Sequence, residues 1–256
     1  MKKGSIYSLL LVVASAFYSS TSYAEKATIA VAANFTKTIE AINEEFVKSY
    51  PQHNIKFAFG PTGKLFAQIK NDAPFDAFFA ADERRAKLTI SEGKAITDSY
   101  FVYDQGKIVL YSSKHAVASE PMATLKQGDF RYIALANPKT APYGERAQAF
   151  LKKTGLYKEL KNKIVHGESI AHAFQYVATG NAPIGFIAMS QAVDPQSPVY
   201  KKGEYWIVPQ TDYNPINQAA VITNRGKDNE AIKDFMAFMK TTEAIKIIKN
   251  FGYGIK

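Results

Sequence analysis

The stretch IKFAFGPTGKLFAQIK (residues 55–70) reads as a strand, a glycine loop and a helix in direct succession. Its GPTGK segment has the outline of a nucleotide-binding P-loop. That loop needs four residues between its first glycine and the Gly-Lys pair, followed by Ser or Thr for magnesium. Here only Pro61 and Thr62 separate Gly60 from Gly63, and Leu65 follows Lys64. The segment is not a P-loop. What it keeps is a helix start with free amide N–H groups, an arrangement suited to an anion.

The same strand-to-helix step recurs along the chain. KATIAVAA (26–33) reads as a strand before a helix over 35–50, and FDAFFAAD (75–82) as a strand before a helix over 83–93. KIVLYSS (107–113) and YIALANP (132–138) read as strands, the second leading into a helix from Glu145 to Lys153. KIVHG (163–167) precedes a helix over 169–180, and further strands are read at 183–189, 205–209 and 218–224. Two helices close the chain. Such alternation predicts α/β architecture, with mostly parallel sheets flanked by helices and ligands at the carboxyl ends of strands. Turn-rich segments at 103–107 and 213–218 suggest two lobes, the chain crossing at the first and returning at the second. The expected division is residues 25–104 in lobe one, 105–217 in lobe two and 218–256 back in lobe one. A single larger sheet is the alternative.

Lys2 and Lys3, the apolar run IYSLLLVVASAFY and the small residues Ser22 and Ala24 read as a signal peptide over residues 1–24, cleaved before Glu25. The apolar run is short for a membrane span. The chain has no cysteine, so neither a lipid anchor on an N-terminal Cys nor a disulfide is expected. A soluble protein free in the periplasm fits these features. The formal charge of +9, two units of it from Lys2 and Lys3, favours anionic partners. Its basic residues are scattered and no nucleic-acid module appears, so no nucleic-acid partner is expected.

Four junctions share one character: AANF (32–35), GPTG (60–63), NPKTAPYG (137–144) and HGESIA (166–171). Each offers small, amide or hydroxyl residues where backbone N–H groups go unpaired. Helix capping alone accounts for any one of them. Four together suggest a neutral site rich in donors.

VAANFTKTIEAINEEF, FGPTGKLFAQIKNDAPFDAFFAAD, LANPKTAPYGERAQAFL, NAPIGFIAMSQA and the closing FGYGIK resemble the periplasmic molybdate-binding proteins of ABC transporters, in order and separation, over essentially all of residues 25–256. The resemblance implies a two-lobed periplasmic binding fold with the ligand in the cleft. It implies capture of molybdate, and of tungstate too, with delivery to the membrane permease of an ABC importer. It implies a monomer that carries no cofactor and is not an enzyme. Carried over by position, the oxyanion contacts fall on Asn34, Thr62, Tyr143 and Ile170, with Ala33 lending a backbone amide; the molybdenum itself has no direct protein ligand. Many relatives have a contacting Tyr where this chain has Ala188, and Tyr143 is expected to replace that hydroxyl.

The residue types fit the ligand. Molybdate and tungstate are dianions at neutral pH and only accept hydrogen bonds, which neutral donors and helix dipoles supply. Phosphate carries a proton and wants an acceptor carboxylate; Asp82 is the nearby candidate, with a helix cap as its other reading. Sulfate shares molybdate's hydrogen-bonding pattern. His166 and His172, with Glu168, have a spacing that fits no metal motif. None of the fifteen tyrosines are neighbours, unlike the tyrosine pairs of ferric-ion binders. An enzyme acting on an anionic substrate finds no G-x-S-x-G elbow and no thiol.

Overall fold

The computed structural model describes residues 25–255; the expected signal peptide at 1–24 lies outside the described residues. Lobe one begins with β1 (Lys26–Ala32), α1 (Thr36–Ser49), β2 (Asn54–Gly60) and α2 (Thr62–Lys70). It continues through β3 (Ala77–Ala80), α3 (Glu83–Ser91) and β4 (Phe101–Gly106). Lobe two holds β5 (Ile108–Ser112), α4 (Pro121–Gln127), β6 (Ile133–Ala136), α5 (Pro142–Lys153) and α6 (Tyr157–Leu160). There follow β7 (Ile164–Gly167), α7 (Ile170–Ala178), β8 (Ile184–Ala188), α8 (Met189–Val193) and β9 (Glu204–Ile207). The chain then returns through β10 (Ile216–Ile222) to α9 (Glu230–Phe238) and α10 (Thr242–Asn250).

These strands form two sheets of five, ordered β2-β1-β3-β10-β4 and β7-β6-β8-β5-β9. Both sheets are mixed in the same way. In each, one strand runs against the other four: β10 in the first, β5 in the second. The reason is the crossing. A parallel strand ends at the cleft, so the strand that enters the other lobe starts at the cleft and must run away from it.

Residues 103–106 of the segment read from sequence as a turn are instead the end of strand β4, and Lys107 links it to β5. Gln105 and Gly106 lie opposite Asn217 and Ile216 in the ladder with β10. Sheet membership therefore places the outward crossing at Lys107 and the start of the return strand at Ile216, two residues from each expected boundary. Asp104 and Gly106 are poor strand formers, but β10 supplies the pairing that local propensity lacks.

Both faces of the first sheet are apolar because helices cover both. Ile29, Val31 and Phe79 face Phe35, Ile39, Phe46, Phe235 and Ile248 on one side. Ala30, Phe78 and Ala80 meet Leu65, Ile69 and Ala86 on the other. The second sheet buries Leu110, Leu135, Phe186 and Ile187 among α5, α7 and their loops. This arrangement fixes where each strand ends, and so where each helix start points.

Glu83, at the first turn of α3, ties that helix to the crossing strands. Its carboxylate accepts from Asn217 Nδ2 at 2.7 Å, Tyr100 Oη at 2.8 Å and Lys87 Nζ at 3.1 Å. Those bonds, Asn217 first, hold its pKa down from 4.5 to about 2. The folded state thus binds fewer protons than the unfolded one between these values, and stability falls as pH drops through this window. Glu83→Gln should weaken the fold at neutral pH and flatten that loss. Urea midpoints measured from neutral pH down to about 2 for both proteins check it.

Candidate functional site

All four junctions singled out in the sequence converge on one cavity between the two lobes. Ala33 and Asn34 follow β1, Gly60 to Thr62 join β2 to α2, Ala141 to Tyr143 open α5, and Ser169 and Ile170 open α7; Ala81 completes the lining. The cavity is small and partly open to solvent. Among the described residues no Lys, Arg, Asp or Glu lines it. The expected contacts Ala33, Asn34, Thr62, Tyr143 and Ile170 are therefore brought together from positions spread over both lobes.

The helix starts leave amides free here for identifiable reasons. At α7, Ser169 Oγ caps the His172 amide at 3.2 Å, so the amides of Ile170 and Ala171 carry no capping bond. At α5, Pro142 occupies the first turn and has no N–H, and Ala141 O takes the Glu145 amide at 3.0 Å. The amides of Tyr143 and Gly144 remain. At α2 the outcome differs from expectation. The Gly63 N–H, expected to serve an anion, donates to Thr140 O across the cleft at 2.8 Å, and Lys64 and Leu65 fold back on Pro61 O. Only the Thr62 amide is left at that turn.

Two hydroxyls add donors. Thr62 is 1% exposed, and its Oγ1 accepts from the Ala81 amide at 3.2 Å. With its oxygen so engaged, the Thr62 proton is free to be donated elsewhere. Tyr143 Oη is buried and has no partner among the described residues. Burial pushes its pKa well above the ordinary tyrosine value, with Tyr253 and Asp104 adding to the effect. Tyr143 stays protonated, a donor awaiting an acceptor.

Asn34 is held more elaborately. Its Nδ2 donates to Gln218 Oε1 at 2.8 Å and Tyr253 Oη at 3.2 Å. Its backbone carbonyl accepts from Ser190 Oγ at 3.1 Å and Tyr253 Oη at 2.8 Å. Sequence reasoning missed Ser190, Gln218 and Tyr253, which support the site from β10, the start of α8 and the C-terminal segment. Tyr253 lies in the quoted FGYGIK, the only hint the chain gave of it.

Ala188 and Asp82 lie outside the lining. Ala188 is fully buried at the end of β8, where its N–H donates to Gln191 Oε1 at 3.0 Å. Asp82 caps α3 through the Arg85 amide at 2.6 Å and pairs with the Arg85 guanidinium. Arg85 in turn donates to Lys139 O at 3.1 Å, on the opposite lobe. Lys64 reaches Glu168 across the cleft at 2.7 Å, though both side chains stay at least half exposed at 51% and 66%.

The profile of the bacterial extracellular solute-binding protein family matches residues 27–254. The chain is 40% identical to the molybdate-binding protein of Azotobacter vinelandii over 257 residues, covering 98% of this chain and 99% of that protein. It is 42% identical to the molybdate-binding protein of Rhodobacter capsulatus over 224 residues, or 88% of this chain and 86% of that one. The solved periplasmic molybdate-binding protein of Azotobacter vinelandii superposes with a TM-score of 0.84 at 34% identity, over 90% of this chain and 99% of its own. The fold, two five-stranded sheets flanked by helices, is what that solved structure shares with it. The chain belongs to the bacterial extracellular solute-binding proteins, and it is a binding protein rather than an enzyme.

Proposed function

We propose that this chain captures one molybdate ion in the interlobe cavity, in the periplasm, and delivers it as a monomer to the membrane permease of an ABC importer. Tungstate, with the same charge and shape, is taken by the same residues. The observation that carries this reading is the lining: Ala33, Asn34, Thr62, Tyr143 and Ile170 meet at one cavity without a charged side chain. A dianion that only accepts hydrogen bonds is matched there by hydroxyl and amide donors at four helix starts. No resident cofactor is needed for such binding. The similarity to two molybdate-binding relatives supports the choice of ion and the periplasmic location. Among the described residues no helix is long and apolar enough to cross a membrane.

Molybdate at a hundred times its dissociation constant should stabilise the fold by about 2.7 kcal/mol. Thermal melts with molybdate, tungstate, sulfate and phosphate check this. Phosphate should bind poorly, because its proton finds no carboxylate in the lining. Melting curves unmoved by molybdate and tungstate would reject the reading.

A further inference from the structure

The side-chain amide of Asn34 can turn either a donor or an acceptor toward the cavity. Which one it turns depends on a hydrogen-bonded chain behind it. Asn34 Nδ2 lies 2.8 Å from Gln218 Oε1, and Gln218 Nε2 lies 2.6 Å from Asp104 Oδ1. Asp104 and Gln218 face each other directly across β4 and β10, the two strands beside the crossing. All three are buried, at 4%, 0% and 1% exposure for Asn34, Gln218 and Asp104.

Two carboxamides and a carboxyl in series have a direction. As placed, the bonds run from Asn34 through Gln218 into an acceptor oxygen of Asp104. Asn34 Oδ1 is then the atom left for the cavity, and an oxyanion repels it. Turning both amides over exchanges N and O at the same positions and keeps every separation. That reversed chain needs a proton on Asp104, which then donates to Gln218; Gln218 donates to Asn34 Oδ1, and Asn34 Nδ2 is free to meet the ligand. Tyr253 Oη, 3.2 Å from the amide, accepts from Asn34 in the first arrangement; in the second it turns its one proton from Asn34 O, which keeps the Ser190 Oγ bond, to Asn34 Oδ1.

We propose that Asp104 is a positioning residue that is protonated in the anion-loaded protein and sets the direction of the Asp104–Gln218–Asn34 chain so that Asn34 presents its N–H to the anion. This rests on the oxyanion reading above. The proton comes from solvent, and no bond other than hydrogen bonds is made or broken. Asp104 Oδ2 has no partner among the described residues. The titratable groups that bear on Asp104 are the buried hydroxyls of Tyr103, Tyr143 and Tyr253, none of them cationic. Burial holds the carboxyl well above its usual range, against the opposing pull of the Gln218 bond. A dianion nearby favours the neutral acid further.

The test is infrared spectroscopy of the molybdate-loaded protein at neutral pH. It should show a protonated-carboxyl stretch that shifts when aspartate carboxyls are labelled with ¹³C and vanishes in Asp104→Asn. The isotope shift alone identifies an aspartic acid if that variant fails to fold. Gln218→Leu, which breaks the chain without touching the ligand, should lower molybdate affinity about tenfold. A wild type that binds molybdate with every aspartate ionised overturns the proposal alone. Gln218→Leu binding molybdate as tightly as wild type does the same. A wild type that ignores molybdate ends the oxyanion reading and this one with it.

Discussion

Thr62→Val should lower molybdate affinity about ten- to hundredfold, since a hydrogen bond to a charged group is worth roughly 1.5–3 kcal/mol. Valine keeps the shape of the side chain and removes its hydroxyl. In the present structure that hydroxyl accepts from the Ala81 amide at 3.2 Å, which leaves its proton free for another acceptor. Losing it also strands the Ala81 N–H, so the free protein should be less stable by about 1 kcal/mol. Titration well below the melting temperature keeps the two effects apart. Lys64→Ala is the contrast. Its pair with Glu168 spans the cleft but is exposed and screened by solvent, so it contributes little. The expected loss is therefore a few-fold at most. In a P-loop the lysine grips the phosphates and the order reverses. Near-wild-type binding by Thr62→Val, with severe loss in Lys64→Ala, would remove Thr62 from the site.

What the sequence made legible follows from how local each signal is. The strand-to-helix steps were readable because both the strand alternation and the helix starts are written within a few residues. The lining of the interlobe cavity was readable for the same reason, since four junctions each announced free amides before their convergence was known. The β4 strand was not readable: Asp104, Gln105 and Gly106 look like a turn until β10 pairs with them. The start of α5 at Pro142 rather than Glu145 carried a signal that was passed over, proline being at home in a first helical turn. The fate of the Gly63 amide had no local trace at all, because its acceptor, Thr140 O, lies in the other lobe. The support behind Asn34 was hidden likewise. Gln218 and Tyr253 stand 184 and 219 residues away in the chain.

Gly106→Ala should cost both binding and stability, and the cause is space rather than backbone freedom. A Cβ at Gly106 would stand 2.2 Å from Tyr143 Oη, 2.9 Å from its Cζ and 3.3 Å from Gln218 Nε2. Contacts below 3.0 Å cannot persist, so something must move. Tyr143 is 1% exposed within the core of the second lobe, which denies it an easy swing. Either its hydroxyl is displaced, or the β4–β10 pair shifts at the crossing and takes Gln218 with it. Overpacking of this kind costs about 1–3 kcal/mol of stability. Both routes also disturb the donor set, so molybdate affinity should fall about tenfold or more, as for one lost bond to a charged ligand. A double-mutant cycle separates this from general damage. In the parent, Tyr143→Phe should weaken molybdate binding by removing a donor. On the Gly106→Ala background it should change affinity little, the hydroxyl being already displaced, while recovering part of the lost stability by relieving the 2.2 Å contact. Fully additive effects on affinity would show that Gly106→Ala acts elsewhere, and would take the Tyr143 hydroxyl out of the path between the crossing and the anion.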